Sequence, residues 1–368
     1  MPIRSEWKLA REGVTLDTIN RLLSATLLNP ALTLPLVLLA RYTTRGKFLA
    51  ATNETYFTKL KTLLALGLIT KASSWLDSAV ANRWSNDTYD WSKEIVVVTG
   101  GSDGIGKIVV HLLAERGIKV AVLDVQDLTY EAPPNVHFFR VDLASKASID
   151  ATAEAVRTTL GHPTILINNA GCARGKTILA STESDIRLTF NVNTLSHYFL
   201  TQQFLPSMIQ NNHGLILTVA SLAAYATAPS MVDYAASKAA ALAFHEGLTA
   251  ELSTIYKADK VRTVVVCQGY TRTKLFEGFN DKALYPETVA EEIVKSVLAG
   301  RSRHVVIPEA AAGFASGLRG MPVWVQTKVR EGLVSKMKNW KGRQVVQPSL
   351  EQEGEKGVED STVLVGKE

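Results

Sequence analysis

Between about residue 93 and residue 308 the chain alternates short β-branched apolar runs with longer stretches of helical period. "IVVVT" at 95–99 is apolar throughout and stops at glycines, as a buried parallel strand does. "KIVVHLLAERG" follows with helical spacing and a terminal glycine, Gly117. "KVAVLD" (119–124), "HFFRVD" (137–142), "TILINN" (164–169), "LILTVAS" (215–221) and "VRTVVVC" (261–267) read as further strands separated by helices. Strand–helix alternation over this length predicts an α/β fold built on a doubly wound parallel sheet.

The flanks follow different patterns. Residues 1–92 read as an N-terminal helical region, rich in Leu and punctuated by basic residues. Residues 309–345 read as an apolar or amphipathic extension beginning "AAAGFASGLRGMPVWVQ". Residues 346–368 carry a charged stretch, "EQEGEKGVEDS", with little to bury, and are expected to be a disordered tail.

Between Arg21 and Arg41 lies "LLSATLLNPALTLPLVLLA", an uncharged stretch of 19 residues. It is just long enough to span a bilayer, but holds Asn29, Pro30 and Pro35. A second run, "TLLALGLIT" (62–70), sits between Lys61 and Lys71 and is too short to span. The pair suits a hairpin dipping into one leaflet, or a helix lying in the interface. The other reading is two ordinary helices packed on the α/β domain. The uncharged stretch favours membrane attachment. Its late start, with no small-residue cleavage pattern after it, argues against a secretory signal.

Composition narrows the classes. The chain of 368 residues is 46% hydrophobic, ample for a core, and its net charge of +5 is mild. No dense Lys/Arg block appears, so no nucleic-acid partner is expected. The two cysteines, Cys172 and Cys267, make no disulfide framework, and no Cys/His spacing suggests a metal. Both read as small buried residues in a reducing compartment.

Candidate chemistry gathers where the strands end. In a doubly wound sheet, ligands bind beyond the carboxyl ends of the strands. The first strand ends in "TGGSDGIG", with Gly100, Ser102, Asp103, Gly104, Ile105 and Gly106. Such a loop opens a helix whose free N–H groups suit a pyrophosphate. Asp124 ends the second strand, at the offset where an acid meets adenosine ribose hydroxyls. Farther on, "DYAASKAAALAFHEGL" (233–248) reads as a helix placing Tyr234 and Lys238 on one face. Tyr-x-x-x-Lys alone is weak, and Tyr89–Lys93, Tyr256–Lys260 and Tyr270–Lys274 match it too. Tyr234 differs in lying thirteen residues after Ser221, the end of an apolar strand.

Together with Asp142, "NNAG" (168–171) and Asn193 in "NVNTLSHYF", these elements resemble the short-chain dehydrogenase/reductase family over roughly residues 93–308. The resemblance implies a Rossmann-type sheet, here with an N-terminal hydrophobic helical extension. It implies that Tyr234 is the general acid/base and that Ser221 orients the reacting oxygen. Lys238, with an oxidised nicotinamide, would lower the Tyr234 pKa from its usual value of about 10 and hold the nicotinamide ribose. Asn193 would hold a water linking Lys238 to solvent. Asn169 and Gly171 would approach the cofactor by backbone, and Asp142 would contact the adenine. Thr271 and Thr273 would reach the carboxamide and the diphosphate. Gln268 stands where the family often has proline, which leaves the shape of that loop open.

The hydrophobic extension resembles the membrane and lipid-droplet branch of that family, including retinol dehydrogenases, 17β-hydroxysteroid dehydrogenase-like proteins and fungal members. This implies an apolar alcohol, ketone or aldehyde as substrate. It also implies a membrane-associated protein, at the endoplasmic reticulum or lipid droplet, with the catalytic domain facing the cytoplasm. A homodimer is the family's default. Leu275, Phe276, Phe279, Leu284 and Tyr285 would cover an apolar ligand or, with equal weight, the core. The same fold suits a ketoreductase of carrier-bound acyl chains, or a non-catalytic binding or scaffold protein. The intact Asn193, Ser221, Tyr234 and Lys238 set argues against the latter.

Asp124 favours NAD, because a 2′-phosphate there would meet like charge. Asp103, Val125 and Gln126 occupy the positions where an NADP-preferring relative carries a basic residue. Lys107, the nearest basic candidate, is expected to point away. NADP remains possible, and NAD implies the oxidative direction.

Overall fold

The apolar runs fold as interior strands because both of their faces are covered by helices. The computed structural model describes residues 3–5, 8–278, 283–337, 340–344 and 348. The chain divides into two units, Glu6–Trp84 and Met1–Ser5 with Ser85–Glu368.

In the larger unit, β1 (Ile95–Thr99) leads through the glycine loop. Then follow α5 (Gly104–Ala114), β2 (Lys119–Asp124), β3 (Val136–Arg140), α6 (Lys146–Leu160) and β4 (Ile165–Asn168), counting the four N-terminal helices described below as α1–α4. After α7 (Glu183–Phe190) and α8 (Ser196–Asn211) come β5 (Gly214–Val219), α9 (Val232–Thr254), β6 (Val261–Gln268), α10 (Pro286–Leu298) and β7 (Arg303–Ile307). Among the described residues these strands form one parallel sheet in the order β3-β2-β1-β4-β5-β6-β7. Val96 pairs with both Val120 and Ile165, so β1 sits between β2 and β4. Chain direction across the sheet reverses at that point, opening a crevice above the carboxyl ends of β1 and β4.

One face of the sheet packs on α5 and α10, through Val109, Leu113, Val289 and Ile293. The other packs on α6, α8 and α9, through Ile149, Phe204 and Leu248. Two expected strand ends are corrected. The third strand stops at Arg140, leaving Asp142 in the following loop, and the fifth stops at Val219, leaving Ser221 beyond it. The seventh strand was not anticipated; its Arg303 and His304 are exposed, so it lacks a continuous apolar run. Beyond it lie α11 (Ala312–Gly317), α12 (Val323–Gly332) and α13 (Val334–Met337). The charged tail expected from 346 lies outside the described residues, apart from position 348.

The smaller unit holds α1 (Leu16–Ala25), α2 (Pro30–Tyr42), α3 (Thr44–Thr52) and α4 (Glu54–Ala81). The uncharged stretch is not one helix. Asn29 caps α2 by accepting from the Ala31 amide at 3.1 Å, Pro30 opens it, and α1 and α2 meet at 42°. Among the described residues no single helix is long and apolar enough to cross a membrane; this bent pair is, by length and composition. The run 62–70 lies inside α4, where Gly67 lets the helix approach α2's lead-in: a Cβ there would fall 2.3 Å from the Leu28 carbonyl oxygen. Few side chains of this unit are buried, and the leucines of α2 are 42–56% exposed.

Candidate active site

The glycine loop is shaped by contacts that exclude larger residues. Gly100 has φ +66°, and a Cβ on it would lie 2.8 Å from the Ala170 Cα. A Cβ on Gly106 would lie 2.1 Å from the Gly100 carbonyl oxygen, so α5 starts close against the loop. At Gly104, φ +59°, a Cβ would meet only Thr273 Cγ2, at 3.8 Å, so the space over the α5 N-terminus is open. Asp103 caps that helix, its Oδ1 accepting from the Gly104 amide at 2.9 Å.

Asp124 is held by two backbone amides. Oδ2 accepts from Ser102 N at 2.9 Å and Oδ1 from Gln126 N at 3.0 Å. Asn169 ties β4 to the glycine loop, its Nδ2 donating to the carbonyls of Thr99 and Gly100.

Ser221 caps a 3₁₀ turn, Leu222–Ala224, accepting from Ala223 N at 3.1 Å and donating to the Gln268 carbonyl at 3.3 Å. One face of α9 carries Tyr234 and Lys238, each 3% exposed. Lys238 Nζ donates to the Val219 carbonyl at 2.8 Å and lies 5.9 Å from the centre of the Tyr234 ring. Asn193 sits in a π-helical turn, Asn191–Leu195, with both amide hydrogens committed to Cys172 O and Ser237 Oγ. Its Oδ1 accepts from Cys172 N at 2.8 Å. A Cβ on Gly171 would lie 3.4 Å from both Asn193 Oδ1 and Lys238 Nζ, so that backbone runs directly over them.

These elements surround one cavity of about 390 Å³. Of the expected set, all but Ser102, Asp142 and Asn193 line it. Ser102 is buried under the loop with its hydroxyl donating to Gln126 O at 3.0 Å. Asp142 accepts from Ala144 N, and its neighbours Val141 and Leu143 reach the cavity instead.

Burial sets the electrostatics. It brings the Lys238 ammonium down to about 8. It raises the Tyr234 phenol above its usual value, opposed by hydrogen bonding with Ser221. Desolvation is the larger of the two effects. Cys172 lines the cavity and is half-buried as a residue with its thiol enclosed, while Cys267 is buried; neither is in a disulfide. Burial pushes the Cys172 thiol up to about 12, so it stays protonated.

The opposite end of the cavity is apolar. Ala173, Ala228, Met231 and Tyr234 form a cluster with Leu275, Phe276, Leu333 and Met337. The Phe276 ring meets Tyr234 edge-on at 5.6 Å. Of the other residues expected over the site, Leu284 packs into the core and Tyr285 lies under Arg272. Phe279 lies outside the described residues.

Sequence reasoning missed the C-terminal contribution, through Phe314, Leu318, Val329, Leu333 and Met337. Their signal was present: Phe314 and Leu318, then Val329, Leu333 and Met337, recur four residues apart. It also misjudged the nearest base. Lys107 does turn away, toward Thr129, but Lys274 Nζ lies 2.7 Å and Arg343 Nη1 3.2 Å from Asp103 Oδ2.

A parallel sheet of this order, a glycine loop feeding a helix N-terminus and a carboxylate fixed at the end of β2 define a dinucleotide-binding protein of Rossmann type. The chain belongs to the short-chain dehydrogenase family, whose model matches residues 94–284. It is 46% identical over 208 residues to "Dehydrogenase RED2" of Cochliobolus heterostrophus, covering 56% of this chain and 78% of that one. It is 32% identical over 240 residues to human "Estradiol 17-beta-dehydrogenase 11", covering 62% and 79%. A short chain dehydrogenase from Burkholderia cenocepacia, solved in complex with NADP, is 25% identical with a TM-score of 0.57, covering 66% of this chain and 99% of that one. The protein is therefore an oxidoreductase that interconverts small-molecule alcohols and carbonyls with a nicotinamide cofactor.

Proposed function

We propose that this protein is an NAD-dependent dehydrogenase of apolar alcohols, of retinoid, steroid or long-chain lipid type. The observation that carries the reading is the position of Tyr234. Its side chain belongs to the apolar cluster at one end of the cavity, while Lys238, one turn along α9, faces the backbone of Gly171 on the cofactor side.

The cradle fits a dinucleotide. The open space over Gly104 and the free N–H groups of α5 suit a diphosphate, and the fixed Asp124 carboxylate suits ribose hydroxyls. When bound, the nicotinamide supplies or accepts the hydride. Tyr234 exchanges a proton with the substrate oxygen through its hydroxyl. Ser221 holds that oxygen by hydrogen bonding, and Lys238 keeps positive charge beside the phenol, favouring its ionised form. Asn193, with a lone pair of Oδ1 left over from its protein partners, holds a water that passes the proton outward. The apolar end of the cavity excludes water and takes the body of the substrate.

The reading of NAD rather than NADP is supported by Asp124, which lines the cavity and whose carboxylate would repel a 2′-phosphate. The exposed leucines of α1 and α2 support attachment to a membrane or lipid-droplet surface, at the endoplasmic reticulum or a droplet, with the catalytic unit on the cytoplasmic side. Exposed Leu195 and Tyr198 near α9 support a homodimer through α8 and α9. The test is turnover of retinoids, steroids and long-chain alcohols in vesicles with each cofactor. Higher catalytic efficiency with NAD on one of these classes is expected. Activity confined to short polar alcohols would overturn the substrate reading, and preference for NADP the cofactor reading.

A further inference from the structure

The cavity is bridged by a segment from near the C-terminus. Residues 340–344 cross from the loop after β6 to the loop after β4. On the first side Lys341 N donates to Glu277 O at 2.9 Å, Arg343 N to Lys274 O at 2.7 Å and Trp340 Nε1 to Leu275 O at 3.0 Å. On the second, Gln344 Nε2 donates to Ala173 O at 3.2 Å, and Arg174 Nη1 to Gln344 Oε1 at 2.6 Å. Arg174 is in turn paired with Asp185 of α7 at 2.5 Å. Gly175, φ +63°, has no Cβ to hold the crossing off: one placed there would fall 1.8 Å from the Trp340 ring.

This crossing brings Arg343 to the glycine loop. Its Nη1 and Lys274 Nζ share one oxygen of Asp103, while the other oxygen caps α5. Both cations line the cavity. Asp103 alone would set a negative charge beside the place where a diphosphate lies on the helix N-terminus. Two cations against one carboxylate reverse that sign, and the positive end of α5 adds to them.

The geometry points to Arg343 as a dinucleotide-binding residue, delivered by the 340–344 crossing: with Lys274 it supplies the positive charge facing the cofactor diphosphate, and Asp103 holds both side chains in place. This rests on the cavity being the dinucleotide site. The catalytic unit thus completes its cofactor site with a residue well outside the matched family region.

The test is NADH binding by the full chain, followed by fluorescence. Arg343→Gln weakens NADH about ten-fold, the loss of one charge-assisted contact. Arg343→Lys recovers most of it. The salt dependence of the NADH dissociation constant is shallower in Arg343→Gln than in wild type. Adenosine, which has no phosphate, binds both alike. Lys274→Gln, in a different segment, produces a similar loss and serves if the Arg343 variant does not fold. An unchanged NADH constant, an equal salt slope, or adenosine weakened as much as NADH overturns the assignment and leaves the dehydrogenase reading standing. A wild type that binds no dinucleotide overturns both.

Discussion

The two units of this chain treat similar apolar side chains in opposite ways. In the sheet, Val96, Val98, Ile167 and Leu217 are wholly buried. In α2, Leu32, Leu36 and Leu39 are more than half exposed. Both segments are rich in aliphatic residues, so composition does not separate them. The difference is periodicity and cover: the interior strands of the sheet have helices above and below them, whereas α2 presents leucines around much of its circumference. Apolar surface left open on that scale is suited to a non-aqueous partner.

On the proposed function, chemistry belongs to one unit and attachment to the other, and the comparison can be broken accordingly. Tyr234→Phe keeps the ring and removes the ionisable hydroxyl. Turnover should fall about 10²–10⁴-fold while the melting temperature holds. Near-normal turnover in this variant would remove Tyr234 from the chemistry. Full-length protein should sediment with membranes and resist extraction by high salt, since burial rather than charge holds it. Deleting residues 1–84 should release a form that still binds dinucleotide; a full-length protein found in the supernatant would refute the attachment.

A matched pair sharpens the contrast. Leu217→Ala, at a site with no exposure, should cost about 2–5 kcal/mol of stability in denaturant titration. Leu36→Ala, 53% exposed, should cost under about 0.5 kcal/mol in the same assay. Similar costs would mean that α2 is covered in solution.

The smallest effect concerns pH. His213, before β5, has Asp87 at 2.7 Å and Glu94 at 3.2 Å. Its hydrogen bond to Glu94 raises the His213 pKa against burial, and Glu94 is held below its ordinary value, His213 and Thr164 outweighing its own burial. The raised histidine contributes stability below its unfolded pKa of about 6.5 that is lost as pH rises through its folded value. The lowered carboxylate contributes above about 4.5, and its share is lost as pH falls. His213→Gln should therefore cost most between these limits, about 1 kcal/mol after solvent screening, and little at pH 9. A cost independent of pH would show the ring acting by packing alone.

Much of the catalytic unit was legible because its signals are local. Buried parallel strands are written as unbroken aliphatic runs, and the glycine loop and the Tyr234–Lys238 spacing lie within single elements. What was missed depends on distant contacts. Strand β7 lies at an edge, so Arg303 and His304 face solvent and break the apolar run. Arg343 and Lys274 converge on Asp103 from segments that nothing in the sequence connects. The break at Asn29–Pro30 was visible as residues, but the 42° angle between α1 and α2 was not. The rise in the Tyr234 pKa follows from enclosure by residues from the loop after β4 to α13, which no local pattern records.

The parallel sheet also governs how the chain reaches its native state in time. Val96 must find Ile165 across two helices and two strands, and Gly214 must find Val261 across α9. No strand can pair with its sequence neighbour through a tight hairpin, so loop-closure entropy opposes each pairing before any contact rewards it. The helices α1–α4 are built on local backbone hydrogen bonds and can form as soon as they leave the ribosome. During synthesis the exposed leucines therefore exist before the sheet does, and the nascent chain can be captured by an apolar surface while its catalytic unit is still unfolded.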